Sequence, residues 1–190
     1  MNLPEIIRPI NDDMRAVDGV IRKKLDSDVV LIRTIGEYII GAGGKRMRPA
    51  LVLMAARAFG YQGLAHHTLA AVVEFIHTST LLHDDVVDES DMRRGRDTAN
   101  AVFGNAASVL VGDYLYSRSF EMMVELDSMR IMQVLSAATT VIAEGEVLQL
   151  LNVHDPDVSV ERYLQVIRYK TAKLFEAAMQ TGALLAGVTP

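Results

Sequence analysis

Three aspartates lie within one turn of a stretch whose other residues are mostly apolar and helical in period. Asp84, Asp85 and Asp88 form the segment Asp-Asp-Val-Val-Asp, and at helical spacing Asp84 and Asp88 share a stripe with His77. Carboxylates this close repel one another, and a cation relieves the repulsion. Oxygen ligands suit Mg²⁺, which typically links one or two carboxylates to substrate phosphates. The alternative interpretation is a solvated acidic helix end.

A basic loop precedes this helix in the chain. Lys45, Arg46 and Arg48 follow Gly44, and Pro49 suits the first turn of a new helix. Backbone N–H groups and the helix dipole favour an anion there, and arginine binds phosphate through two N–H groups. The alternative is a solvated basic loop.

A second basic group follows the aspartates directly. Residues 89–100 are polar and contain Arg93, Arg94 and Arg96, which we interpret as a loop or lid. Carboxylates that hold Mg²⁺ and arginines beside them fit a diphosphate, because the metal and the cations share its charge. An aliphatic interior beside the loop leaves room for an apolar tail. The residues alone therefore predict a Mg²⁺-dependent diphosphate site on a helical bundle.

The elements that must position these groups are predicted to be helices, because apolar residues recur at helical spacing and no convincing strand pattern appears. The predicted helices are 12–25, 27 or 28 to 41, 49–59, 68–87, 105–126, 127 or 128 to 151, and 159–186. The candidate residues at their starts are Asn11, Ser27 or Asp28, Asp127 or Ser128, and Ser159. The fold class is therefore all-α, a bundle with mostly short connections.

Composition excludes several classes of protein. The 190 residues suffice for one domain, and a formal net charge of -5 argues against general nucleic-acid binding. Without cysteine, no disulfide or zinc–thiolate site forms, which fits a cytoplasmic location. We expect no signal peptide, and no apolar stretch of the ~18 residues that a membrane-spanning helix needs.

The order and spacing of these motifs resemble a known family. Asp84-Asp-Val-Val-Asp88 is similar to the first aspartate-rich motif of the trans-prenyltransferases, or polyprenyl diphosphate synthases, and Gly44-Lys-Arg-Met-Arg-Pro49 to another of their N-terminal signatures. Other matching positions are His77, Arg93, Arg94, Gly112-Asp113 and Lys170-Thr171. The resemblance covers the whole chain and favours the bacterial long-chain class. It implies an isoprenoid-synthase-type helical bundle around a central apolar cavity.

The resemblance also implies roles for the matched residues. Asp84 and Asp88 would link Mg²⁺ to the allylic diphosphate, with Asp85 in support. That diphosphate would also contact Arg93, Lys170 and Thr171. Isopentenyl diphosphate would be bound by Lys45, Arg48, His77 and Arg94, with Arg46 assisting at the anion site. Gln149, on the helix after the lid, would be a further contributor to substrate binding. The alternatives are a hydrogen-bonded core histidine at 77 and a surface lysine at 170.

The implied reaction begins when pyrophosphate departs from the allylic substrate with the help of Mg²⁺. The double bond of isopentenyl diphosphate attacks the resulting cation, and a proton is lost. Product length would be set along the helix by Phe75, Ser79 and Thr80. Ser79, five residues before Asp84, is small, whereas family members with short products tend to carry an aromatic residue there. We therefore expect a product near C40 made from farnesyl diphosphate for quinone side chains, with Phe75 as a partial stop.

One family feature is absent, because the sequence contains no second Asp-Asp-x-x-Asp motif and residues 154–157 are a poor substitute. We therefore expect residues 1–190 to be one helical domain, the N-terminal part of a larger synthase domain that lacks the C-terminal helices. Little activity is expected from it alone. Homodimerisation would cover exposed apolar faces, and the apolar product would give weak membrane association.

Three other interpretations remain open. The first is a synthase with a short product, such as a farnesyl or geranylgeranyl diphosphate synthase. The second is a non-catalytic subunit that stabilises a partner synthase, which the missing second motif favours and the three aspartates disfavour. The third is a helical interaction domain with chance charge clusters, which predicts no Mg²⁺-dependent diphosphate binding.

Overall fold

Helices make up every long element of the computed structural model, which describes residues 3–188. They are α1 Leu3–Ile7, α2 Asn11–Lys24, α3 Val30–Gly41, α4 Met47–Ala58, α5 Ala65–Val87, α6 Ala99–Phe103, α7 Asn105–Glu125, α8 Met129–Asn152, α9 Val160–Val166 and α10 Lys173–Leu185. A 3-10 turn, Arg8–Ile10, joins α1 to α2. A π-helical turn, Ile167–Ala172, joins α9 to α10. The predicted all-α class is therefore confirmed.

Helix α5 lies at the centre of the bundle. Every residue from 69 to 76 is buried, and this run covers two full turns, so all faces of the helix are enclosed. Helices α2, α4, α7 and α10 pack around it. The buried centre fixes the direction of α5, and the helix carries the aspartates at its C-terminal end.

Two of the predicted serine caps are present. Ser128 Oγ accepts a hydrogen bond from the Ile131 N–H at the start of α8, and Ser159 Oγ accepts one from the Arg162 N–H at the start of α9. The third prediction is wrong in detail, because α3 begins at Val30 and Ser27 Oγ accepts from the N–H of Val29 instead.

The segment 89–100 contains a small hairpin that the sequence did not indicate. Strands β1 Met92–Arg93 and β2 Arg96–Asp97 pair antiparallel, with Arg93 opposite Arg96. The two turn residues, Arg94 and Gly95, have positive φ angles of 54° and 77°. This is the pattern of a type I′ turn, which usually carries Asn-Gly, so Arg-Gly gave no recognisable signal.

A charge cluster fixes the end of the bundle opposite the aspartates. Asp13 on α2 accepts hydrogen bonds from Arg57 Nη2 at 2.9 Å and Nε at 3.1 Å. His66 Nε2 and His67 Nε2, at the start of α5, lie 3.2 and 2.9 Å from Asp13 Oδ1. The cluster therefore ties α2, α4 and α5 together.

One helix in the described part of the chain meets the length and hydropathy of a membrane span. Helix α8 has a window of mean hydropathy 1.4, and 28% of that window is buried. The expectation that no stretch is long and apolar enough is therefore wrong on those two measures. A single such helix is weak grounds for a span, because core helices of soluble proteins meet the same criteria.

Candidate functional site

An acidic cluster lies where the C-terminal end of α5 meets α8 and the π-helical turn. Asp84 is partly buried, and Lys170 Nζ lies 3.5 Å from its Oδ2. The same Nζ donates to Glu146 Oε2 at 2.5 Å. Burial raises the pKa of Asp84; the Lys170 ammonium opposes that rise and the charge of Asp88 adds to it. Burial also raises the pKa of Glu146, against its hydrogen bond from Lys170. The carboxylates of Asp84, Asp88 and Glu146 therefore lie around the Lys170 ammonium group and outnumber it.

Asp85 points elsewhere than Asp84 and is almost completely buried. Arg93 donates to Asp85 Oδ1 from Nη2 at 2.7 Å and from Nε at 2.9 Å. The Ser90 N–H donates to the backbone carbonyl of Asp85 at 2.9 Å, as does Asn100 Nδ2 at 3.3 Å. Asp85 therefore anchors the hairpin to the end of α5, and Arg93 is engaged by this carboxylate.

A basic cluster lies two turns earlier beside α5, where Arg46 and Arg48, at the start of α4, meet α5. Arg48 Nη1 and His77 Nε2 are 3.2 Å apart, and the Arg48 guanidinium lies 4.3 Å above the Phe175 ring. Arg48 Nε is buried without a hydrogen-bond partner among residues 3–188. Arg46 is occupied differently, because its Nη1 donates to Glu74 Oε1 at 2.5 Å. A buried N–H without a partner is costly, so this cluster has capacity for an acceptor.

The basic cluster keeps His77 neutral. Burial lowers the pKa of His77 to about 3, and the charges of Arg48 and Arg94 act in the same direction. Burial raises the pKa of Glu74, although Arg46, Arg48 and Arg94 oppose it. A neutral imidazole protonated on Nδ1 accepts from the Arg48 N–H. The net positive charge of this cluster suits an anion.

The hairpin reaches the basic loop through Arg94. Its Nη1 donates to the carbonyl oxygen of Gly43. A Cβ atom on Gly44 would lie 2.5 Å from the same nitrogen, so a larger residue would displace the end of the Arg94 side chain from this contact. Lys45 is exposed on the loop beside it. Consecutive arginines of the hairpin thus contact the acidic end of α5 and the basic loop.

A cavity of about 330 Å³ extends from the acidic cluster into the bundle. Its lining consists of Ile76, Ser79, Thr80, His83, Asp84, Asp113, Tyr116, Thr139, Ile142, Ala143 and Glu146. Ser79 and Thr80, two of the predicted chain-length residues, therefore line this cavity. Phe75 is completely buried and is not part of this lining.

A neighbouring cavity of about 510 Å³ brings together three other predicted residues. Gln149, Lys170 and Thr171 line it. Sequence reasoning missed Glu146, three residues before Gln149, and Glu74, three residues before His77. Helical spacing places each of them on the same face as its predicted neighbour, which was the available signal.

Comparison with known proteins supports one family. Octaprenyl diphosphate synthase of Escherichia coli (strain K12) is 60% identical over 190 residues, which are 100% of this chain and 59% of that protein. All-trans-nonaprenyl-diphosphate synthase (geranyl-diphosphate specific) of Rhodobacter capsulatus is 48% identical over 184 residues, which are 96% of this chain and 57% of that protein. The chain therefore spans less than two thirds of the length of these relatives.

A solved structure shares the fold closely. The crystal structure of polyprenyl synthase from Caulobacter crescentus CB15, complexed with calcium and isoprenyl diphosphate, has a TM-score of 0.97 and 49% sequence identity. The match covers 99% of this chain and 57% of that one. Residues 29–190 also match the family described as polyprenyl synthetase. The isoprenoid-synthase-type bundle expected from the motifs is thereby confirmed, and the chain belongs to the polyprenyl synthetase family.

Proposed function

We propose that the chain is the N-terminal part of a Mg²⁺-dependent trans-polyprenyl diphosphate synthase. It would condense an allylic diphosphate, farnesyl diphosphate, with successive isopentenyl diphosphates to a product near C40 that supplies quinone side chains. The observation that carries the proposal is the acidic cluster of Asp84, Asp88, Glu146 and Lys170 at one end of an apolar cavity. The basic cluster lies beside the same helix, two turns away at His77.

The donor atoms at the acidic cluster fit Mg²⁺. Asp84 and Asp88 supply carboxylate oxygens, the ligands that this hard cation prefers. The relative from Caulobacter crescentus was crystallised with calcium and isoprenyl diphosphate, which supports a divalent cation here. When bound, Mg²⁺ would neutralise charge on the diphosphate as it leaves. Asp85 supports the site indirectly, because it holds Arg93 and the hairpin in place.

The basic side chains would divide the two diphosphates between them. Lys170 lies at the acidic cluster, where its ammonium group can donate to the allylic diphosphate. Arg93 and Thr171 would contact the same diphosphate. Isopentenyl diphosphate would lie against the basic cluster, where Arg48 has an unpartnered N–H. Lys45, Arg94 and neutral His77 complete that set, and Arg46 acts through Glu74. Gln149 would contribute from the neighbouring cavity, which it lines with Lys170 and Thr171.

The apolar side chains of the cavity support the proposed chemistry, because they would favour the hydrocarbon part of the substrate over water. When the C–O bond of the allylic diphosphate breaks, pyrophosphate takes the electron pair and the allyl group becomes a cation. Ile76, Ile142 and Ala143 line the space in which this hydrocarbon would lie. The nucleophile is then the double bond of isopentenyl diphosphate rather than water, and loss of a proton restores an alkene.

Cavity size bears on the length of the product. A 150 Å³ cavity holds benzene, so 330 Å³ holds about 13 carbons, close to the 15 of a farnesyl group. A longer product must therefore extend beyond this lining. Replacing Ser79 with Tyr fills part of the space, and we expect shorter products from the full-length Ser79→Tyr enzyme. An unchanged product distribution by mass spectrometry would refute the role of Ser79.

A second copy of the chain is the proposed partner. Leu110 on α7 and Val147 and Leu151 on α8 are exposed by 57–67%. Exposed apolar residues of this kind favour a homodimer. The proposed location is cytoplasmic, with weak membrane association only through the apolar product. A short-chain synthase and a non-catalytic subunit remain the competing functions, and product analysis separates them from the long-chain enzyme.

Binding of farnesyl diphosphate to the 190-residue chain, measured by calorimetry with and without Mg²⁺, tests the proposal. We expect binding that requires Mg²⁺ and that weakens roughly 100-fold in Asp84→Asn. Loss of a residue that only hydrogen-bonds to a metal ligand typically weakens metal binding about 10–100-fold, and loss of a direct ligand should weaken it at least as much. Asp18→Asn, at an exposed position on α2, is the matched control and should bind as the unaltered chain does. Binding that is absent, or that is indifferent to Mg²⁺, would contradict the proposed function.

A further inference from the structure

The helix that carries Lys170 contains a wide turn at that point. The Lys173 N–H donates to the carbonyl of Arg168, five residues back, whereas an α-helix bonds four residues back. One additional residue in the turn rotates the residues that follow by about 100° relative to an uninterrupted helix. Such π-helical turns are rare and are frequent at functional sites. The turn therefore needs a local reason.

Gly145 on α8 explains the position of the π-helical turn, because the turn packs directly against the Cα of Gly145. A Cβ atom at Gly145 would lie 2.6 Å from the backbone nitrogen of Lys170 and 2.8 Å from Tyr169 Cβ. Backbone cannot step aside as the end of a flexible side chain can. Any residue larger than glycine at 145 therefore pushes the turn away from α8.

Glu146, the next residue on α8, holds the other end of the same lysine. Its Oε2 accepts from Lys170 Nζ at 2.5 Å, while Asp84 Oδ2 is 3.5 Å from that nitrogen. The Lys170 side chain is only 19% exposed in this arrangement. Adjacent residues of one helix thus contact both the backbone and the ammonium group of Lys170.

We propose that Gly145 and Glu146 are positioning residues that together place the Lys170 ammonium group beside Asp84. Gly145 acts through backbone distance, and Glu146 acts through its carboxylate. The consequence for diphosphate binding rests on the proposed function, in which Lys170 contacts the allylic diphosphate. The position of the lysine itself does not rest on it.

The first test measures the accessibility of Lys170 directly. Limited acetylation with acetic anhydride, followed by mass spectrometry, reports the reaction rate of each lysine in the 190-residue chain. We expect Lys170 to react several-fold more slowly than exposed Lys45 and to react several-fold faster in Gly145→Ala. Gly19→Ala is the matched control, because no described atom lies within 4 Å of a Cβ added there. Equal rates for Lys170 in all three proteins would overturn the proposal.

The second test asks whether Gly145 acts through Lys170. Binding of inorganic pyrophosphate with Mg²⁺ should weaken about 10-fold in Gly145→Ala and in Lys170→Ala, and the double variant should match Lys170→Ala alone. Losses that multiply in the double variant would mean that Gly145 acts on the fold and would overturn the proposal. If Gly145→Ala does not fold, Glu146→Gln takes its place in both tests. Absent pyrophosphate binding in the unaltered chain would count against the proposed function, while the acetylation rates still decide the position of Lys170.

Discussion

Acidification from pH 7 to pH 5 should destabilise the fold through His77. The unfolded chain has an ordinary histidine pKa near 6.5, whereas burial and the neighbouring arginines lower the pKa of His77 to about 3 in the folded protein. Between these values the unfolded state takes up a proton that the folded state refuses. Stability conferred by the neutral imidazole is therefore present above pH 6.5 and is lost as the pH falls towards 3.

The size of the effect follows from the two pKa values. Each pH unit well inside the window costs about 1.4 kcal/mol, and the window opens at about pH 6.5. From pH 7 to pH 5 the sum is about 2 kcal/mol in the free energy of unfolding. This is a sizeable part of the 5–15 kcal/mol typical of whole proteins.

Urea unfolding followed by circular dichroism at pH 7, 6 and 5 measures this dependence. His77→Gln keeps an acceptor for Arg48 and removes the titrating group, so its stability should fall by about 2 kcal/mol less than that of the unaltered chain. His154→Asn, in the exposed loop after α8, is the matched control and should keep the full dependence. Equal pH dependence in His77→Gln and the unaltered chain would refute the reasoning.

Three further substitutions test the packing. Asp13→Asn should cost about 1–3 kcal/mol in urea unfolding at pH 7, because Asp13 is buried while its partner Arg57 is partly exposed. The hydrogen bonds from Arg57 hold the pKa of Asp13 well below its usual range, so the difference from the unaltered chain should shrink as the pH falls below 4. Gly182→Ala should lower the melting temperature, because its Cβ would lie 2.5 Å from the Val52 carbonyl oxygen, where α10 meets α4. The expected loss in the free energy of unfolding is about 1–3 kcal/mol. Phe75→Ala should cost about 3–5 kcal/mol in the free energy of unfolding. In the full-length enzyme it should leave product length unchanged. Longer products would instead place Phe75 against the prenyl chain.

Features that depend on neighbouring residues could be predicted from the sequence. The spacing of Asp84 and Asp88 placed them on one side of a helix end, and the serine caps of α8 and α9 follow from side chains that bond within three residues. The all-α class follows from the same kind of periodicity, because each helix shows its buried face locally.

Features that depend on contacts between distant segments could not be predicted. Glu146 and Lys170 are 24 residues apart, and nothing near either residue indicates that α8 and the π-helical turn meet. The same holds for Arg46, which a local pattern assigned to an anion and which Glu74, 28 residues away, engages. Patterns of period 3.6 also do not reveal a single wide turn within a long helix.

The hairpin of 92–97 joins the acidic end of α5 to the basic loop through consecutive residues. Arg93 holds Asp85, at the acidic end of α5, and Arg94 holds the Gly43 carbonyl, at the basic loop. A ligand that rearranges one of these contacts moves a strand only two residues long, and so disturbs the other contact. By thermodynamic linkage, each ligand then changes the affinity of the other by the same factor, whichever binds first.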